Sequence, residues 1–147
     1  MPAITTSIEV DRPAEKVFAY ATDPSRFCEW QKGVVDGHTD AGDAPSVGAR
    51  CVTTRHIGFA NRPTTAEVTH VQPPRSWRVR GIDGAIRATV ELSVEPLAPT
   101  RSRLTIAVDF EGHGIGRLLV PLFVRREARK EMPENLANLK QRLEDGA

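Results

Sequence analysis

The chain has 147 residues, 39% of them hydrophobic and 27% charged, with a formal net charge of +1. That length suits one domain over residues 1–147 with a core large enough to fold alone. A charge so near zero gives no basic field for nucleic acid, and the longest apolar run, LLVPLFV at 118–124, falls far short of the ~20 residues of a membrane span.

The start, MPAITTSIEV, lacks the basic residues and continuous apolar run of a signal peptide. Cys28 and Cys51 form no C-x-x-C pair and no metal motif. Reduced, buried thiols, a cytoplasmic location and no stable membrane insertion are the expectations.

In chain order, Ile4, Thr6, Ile8 and Val10 alternate with Thr5, Ser7 and Glu9, and this period of two predicts a half-buried strand. Arg12-Pro13 ends it, and Pro13 suits the first turn of a helix over 14–22. Asp23-Pro24-Ser25 breaks that helix and caps a shorter one at 25–31.

Strand patterns follow at 34–40, 48–58, 63–72, 75–83, 85–96 and 101–111. They are divided by the turn residues of 40–43, Asn61-Arg62-Pro63, Pro73-Pro74, Asp83-Gly84 and Pro96–Pro99. Ile86, Ala88, Val90, Leu92 and Val94 share one face, as do Leu104, Ile106, Val108 and Phe110. The opposite faces are polar, as in an antiparallel sheet wet on one side.

Residues 114–144 read as one long helix, about 46 Å at 1.5 Å per residue. Ala128, Met132, Leu136, Leu139 and Leu143 form an apolar stripe, with Leu118 and Leu122 on or beside it. Arg125 and Arg129 fall in its middle. Either both guanidiniums reach water, or one lies at a cavity wall where its fork can hold a carboxylate. Phe123 sits in a segment apolar nearly all round, which predicts burial in core or cavity lining.

The order β, α, α, six β and a long α predicts an α+β fold. The residues I-E-V-D-R-P-A-E-K-V-F at 8–18, D-P-x-x-F-x-x-W at 23–30, V-x-P-P-R-S-W at 71–77 and G-x-G-R-L-L through N-L-x-x-L-K-x-x-L-E at 114–144 resemble the START-like, helix-grip superfamily. The likeness is to its bacterial polyketide cyclase/dehydrase and lipid-transport branch and covers essentially the whole chain. It implies a seven-stranded curved antiparallel sheet around the long helix, with two short helices after the first strand. It also implies a cavity for a hydrophobic or amphipathic molecule.

Alternation and this resemblance together nominate Trp30, Val68, His70, Trp77, Val79, Ala88, Val90, Ile106, Val108, Phe123, Arg129 and Met132 as ligand-binding residues. His70 and Arg129 are the weak catalytic candidates. Arg55 and His56 are adjacent on one strand, so only one of them faces inward, and the sequence does not say which.

Three functions fit. One is binding of a lipid- or polyketide-like molecule. Another is polyketide cyclisation or dehydration with cavity His and Arg groups, which needs acid and base within reach of substrate. The third is a protein-interaction module. No cofactor or metal is implied: no H-E-x-x-H, nucleophile elbow or dinucleotide fingerprint occurs. A homodimer is left open.

Overall fold

The computed structural model describes residues 2–40, 46–57 and 59–147. The expected turn at 40–43 lies largely outside the described residues, as does Gly58 at the end of the expected 48–58 strand.

Strand β1 (Ile4–Val10) leads into helix α1 (Ala14–Ala21) and a 3-10 helix (Pro24–Glu29). Six strands follow: β2 (Val34–Thr39), β3 (Arg50–Ile57), β4 (Ala60–Gln72), β5 (Ser76–Gly81), β6 (Ile86–Ala98) and β7 (Arg101–Gly112). The C-terminal helix has three parts: α2 (Gly116–Leu119), a π-helical turn (Val120–Val124) and α3 (Arg125–Glu144).

The seven strands form one antiparallel sheet in the order β1-β7-β6-β5-β4-β3-β2. Only β1 pairs out of sequence, with Ile4 opposite Val108 and Val10 opposite Ser102. Sequential hairpins make the rest, consistent with the alternating patterns and turn residues of the chain.

The expected turn at Asn61-Arg62-Pro63 is instead strand. These residues pair with Arg55 and Thr54 and their neighbours in β3. Pairing of β4 with β5 ends at Ala66–Gly81, so the first half of β4 overhangs β5. A proline is tolerated there because no ladder on that side asks for its N–H.

The core lies between the inner face of the sheet and the helices. Val10, Val17, Leu92, Leu104, Leu136, Leu139 and Leu143 have almost no exposed surface. Each leucine stabilises the fold by roughly 1.5–3 kcal/mol relative to leaving it in water. Met132, Leu136, Leu139 and Leu143 form the buried stripe of α3 that the sequence predicts, with Ala128 half-buried beside it.

Polar contacts fix α3 at both sheet margins. Lys140 Nζ donates to the Glu9 carbonyl at 2.8 Å, and the Asp11 N–H donates to Glu144 at 3.0 Å. Arg12 Nε donates to the Leu143 carbonyl at 2.6 Å. On the other side the Lys32 N–H donates to Asn135 Oδ1 at 3.0 Å. The Lys140 contact also occupies a backbone carbonyl of the edge strand β1, where open groups would invite a foreign strand.

Candidate ligand-binding groove

Burial of the inner sheet face falls steadily from one end to the other. On β6, Val94 and Leu92 are buried, whereas Val90, Ala88 and Ile86 are half-buried. On β7, Leu104 and Ile106 are buried, whereas Val108 and Phe110 are half-buried. On β4 and β3, Val68 and Cys51 are buried, and Ala66, Thr64, Thr53 and Arg55 are half-buried. One end of the sheet is therefore solid core, and the inner face is incompletely covered toward the end where β6 begins and β7 finishes.

Among the charged residues on that inner face, Arg55 is half-buried, whereas Arg62, opposite it on β4, is exposed. Arg55 shares the side of β3 occupied by Cys51 and Thr53, and Cys51 is buried against the core. Its Nη2 donates to Gln31 Oε1 at 2.8 Å. Burial pushes the guanidinium below the usual arginine range, and the negative charge of Glu131 on α3 works against that shift. Among the described residues no carboxylate lies within ion-pair distance of Arg55. A guanidinium has five N–H donors, so this half-buried one has its charge incompletely matched by the protein. Thr53 and Thr64 face each other beside it, with the Thr64 hydroxyl donating to the Thr53 carbonyl at 3.3 Å.

The neighbouring His56 points outward and bonds Asn61 at 2.9 Å. Arg55, undecided in the sequence, is thus the inward member of the pair. Gln31 and Glu131 carry no sequence signal for this site, because they belong to the 3-10 helix exit and to α3, and only folding brings them near β3.

His70 is not on the inner face. The β4–β5 register slips between Val68, opposite Val79, and His70, opposite Arg78. This bulge inserts one residue and turns the imidazole to the wet side, where Nε2 bonds the Ser76 hydroxyl at 2.8 Å. Past the bulge the inner-face position of β4 passes to Val71, which lies opposite Trp77 and packs against the core.

Trp30, Trp77, Val68, Val79, Ile106 and Met132 are buried in the core. Ala88, Val90 and Val108 lie on the half-covered part of the inner face. Phe27 meets both indoles edge-on, with centroids 5.9 Å from Trp30 and 6.5 Å from Trp77. Neither indole N–H has an acceptor among the described residues. A buried donor left without a partner costs about 1–3 kcal/mol.

Phe123 is exposed, as are Leu118 and Leu122. The reason is the π-helical turn, in which the Arg125 N–H bonds the Val120 carbonyl five residues back. The wider turn shifts the phase of everything before it, so the stripe of α3 does not continue through 118 and 122. Gly116 and Val120 are buried instead.

Arg129 is also exposed, and no catalytic pair forms with His70. Arg125 is 4% exposed and does not reach water: it donates to the Pro2 carbonyl and to Asp109. Two surface depressions border these arginines. One, of about 770 Å³, is lined by Pro121, Leu122, Arg125, Arg126, Arg129 and Lys130. The other, of about 620 Å³, runs along Pro2 to Ser7 beside Arg125, Arg129 and Pro133. Both lie along the helix rather than inside the sheet. Cys28 is exposed, against the expected burial of both thiols, and Cys51 is buried. No group of residues able to hold a metal occurs among the described residues.

A curved antiparallel sheet holding a long C-terminal helix of 29 residues, 116–144, defines the helix-grip, START-like class. Residues 1–144 match the family described as polyketide cyclase / dehydrase and lipid transport, and the chain belongs to that family. Solved structures with the same fold include TTHA0849 from Thermus thermophilus, at 17% identity and TM-score 0.76, with 99% of this chain and 100% of that one covered. A START superfamily protein from Mycobacterium smegmatis is 16% identical with TM-score 0.70, covering 99% and 96%. The di-domain ARO/CYC BexL from the BE-7585A biosynthetic pathway is 14% identical with TM-score 0.76. There 98% of this chain is covered but only 47% of the other, so this chain spans about half the length of BexL. No curated protein matches the chain. No helix among the described residues is long and apolar enough to cross a membrane.

Proposed function

We propose that this protein binds an amphipathic small molecule between the sheet and α3. The apolar part lies on the half-covered inner face around Ala88, Val90, Val108 and Phe110, and an acidic end meets Arg55. The observation that carries the reading is the state of Arg55: half-buried on the inner face, with one neutral partner in Gln31 and a carboxylate only at a distance. An anion delivered by a ligand would complete its hydrogen bonds in a bidentate pair. The family description, which joins polyketide cyclases with lipid transport, is compatible with such a ligand.

Dodecanoate and dodecanol share a chain and differ in charge. Isothermal titration should find dodecanoate bound at least about tenfold more tightly, one charge-assisted contact being worth ~1.5–3 kcal/mol. Arg55→Met should erase that preference while leaving the melting temperature unchanged or higher, because a half-buried cation without an ion-pair partner is removed. Equal affinity for both ligands in the parent protein would refute the reading.

Polyketide cyclisation is the second reading. It is favoured by Glu131, whose charge is felt at the same guanidinium, with the Thr53 and Thr64 hydroxyls nearby. Turnover of a poly-β-ketone thioester that is lost in Glu131→Gln but kept in His70→Ala would support it.

A further inference from the structure

An apolar surface at the open end of the sheet takes no part in the groove. Ile115, Leu118, Leu122 and Phe123 are 67%, 65%, 61% and 59% exposed. Phe59, at the tip of the β3–β4 hairpin, is fully exposed. Topology puts them at one end of the sheet. The β3–β4 tip, the β5–β6 tip at 83–85 and the junction from β7 into α2 all lie at one end of the antiparallel sheet. The junction is tied to the β5–β6 tip by the His113 N–H, which donates to the Ala85 carbonyl at 2.7 Å. The first turns of the C-terminal helix therefore overhang the sheet end and present their large side chains to solvent. Four large apolar side chains exposed within nine residues mark an interaction surface.

The charge around this surface selects its partner. From His113 to Lys130 the chain has four exposed cations, Arg117, Arg126, Arg129 and Lys130, and one carboxylate, Glu127. The acids at the neighbouring tips have partners of their own: Asp83 accepts from the Thr65 N–H, and the exposed Glu111 lies 3.1 Å from His113 and 4.0 Å from Arg80. Leu122 borders the same depression as Arg126, Arg129 and Lys130, so apolar and cationic side chains follow one another along one helix face. A water-to-hydrocarbon boundary bearing negative headgroups has that layering. Apolar side chains enter the acyl region while arginines stay at headgroup level, and each cation near an anionic surface adds about 1 kcal/mol of attraction.

We infer that the 115–123 overhang docks the protein reversibly on an anionic lipid surface, with Leu118, Leu122 and Phe123 as shallow apolar anchors and Arg117, Arg126 and Lys130 as headgroup contacts. This is peripheral attachment, with no segment spanning the bilayer. It stands apart from the groove reading, which is tested with soluble ligands and no vesicles, so either can fail alone.

The test is sedimentation of the full chain with vesicles of phosphatidylcholine alone, or mixed in equal parts with phosphatidylglycerol. The mixed vesicles should carry the protein down and the neutral ones should not, with binding falling as salt rises. Leu122→Ser with Phe123→Ser should weaken binding at least about tenfold. Arg117→Gln with Arg126→Gln should weaken it on mixed vesicles by a similar factor. All four residues are exposed, so the variants should keep the parent's thermal melt, and the melt is recorded as the check on folding. No binding to mixed vesicles overturns the inference, as does binding that both double variants retain. Patch-dependent dimerisation by sedimentation equilibrium, in place of lipid binding, also overturns it and assigns the surface to a second copy of the chain.

Discussion

Arg125 Nη2 donates to the carbonyl oxygen of Pro2 at 2.5 Å, tying the first turn of α3 to the residues just before the edge strand β1. The same guanidinium reaches Asp109 at 3.4 Å across the sheet. A side chain only 4% exposed thus joins helix, β1 and β7. Arg125→Ala should destabilise the fold by about 2–4 kcal/mol, through the lost stem packing and bonds to a charged donor. Arg125→Met keeps the stem and should cost no more than about half as much, since the Pro2 carbonyl can return to water. Urea midpoints at unchanged slope measure both. Equal losses would assign the whole effect to the charge.

Gly116 and Gly112 stand where sheet turns into helix. A Cβ on Gly116 would collide with the carbonyl of Ala85, and one on Gly112 with the backbone of Gly116. Helix propensity favours alanine over glycine at an interior position by ~0.5–1 kcal/mol. Here the collision with backbone wins, because the β5–β6 tip cannot move without breaking its bond to His113. Gly116→Ala is expected to lower stability by about 1–3 kcal/mol. A thermal melt at or above the parent's would show that the junction gives way instead.

The chain's one tyrosine makes its ionisation readable by absorbance. Burial, reinforced by the hydrogen bond from its hydroxyl to Glu29 at 3.1 Å, raises the Tyr20 pKa from 10.0 to about 12. A raised folded pKa means the neutral phenol is favoured in the native state. Its contribution is complete below the unfolded value and is lost as pH rises from 10 through about 12. The tyrosinate band should therefore appear near pH 12 in native buffer and near 10 in concentrated urea. In Glu29→Gln the native midpoint should fall only part of the way, because burial is the larger cause. A native midpoint near 10 would contradict the packing of α1 against the 3-10 helix.

Cys28 is exposed, whereas Cys51 is buried and its thiol is pushed above the usual range by burial. An aromatic disulfide reagent should titrate one thiol quickly in native buffer and the second only as the fold opens. Cys28→Ser should remove the fast phase and leave the slow one. Two fast thiols in the parent would mean that β3 is open at Cys51.

Much of this architecture is legible in local pattern. The alternation on β6 and β7, the Asp23 cap and the Met132–Leu143 stripe each follow from spacing along a few turns, and each sits where spacing puts it. Two of the departures share one cause, a shift of register that composition does not reveal. One extra residue in β4 turns His70 outward, and one wide turn at Val120–Val124 puts Leu118, Leu122 and Phe123 into solvent. Pro63 has the local signature of a turn, and only the sheet order shows that β4 overhangs its neighbour there.

By itself the chain determined the order of its elements, the resemblance to a helix-grip fold and which strand faces are apolar, because these depend on side-chain chemistry repeated at fixed periods. Tertiary structure alone decided that Arg55 rather than His56 turns inward, that Gln31 and Glu131 come near it, and that Arg125 is held rather than solvated. The bonds from Arg55 to Gln31 and from Arg125 to Pro2 join residues 24 and 123 positions apart, and no local pattern carries them. They exist because the curved sheet and the C-terminal helix bring distant segments of the chain together.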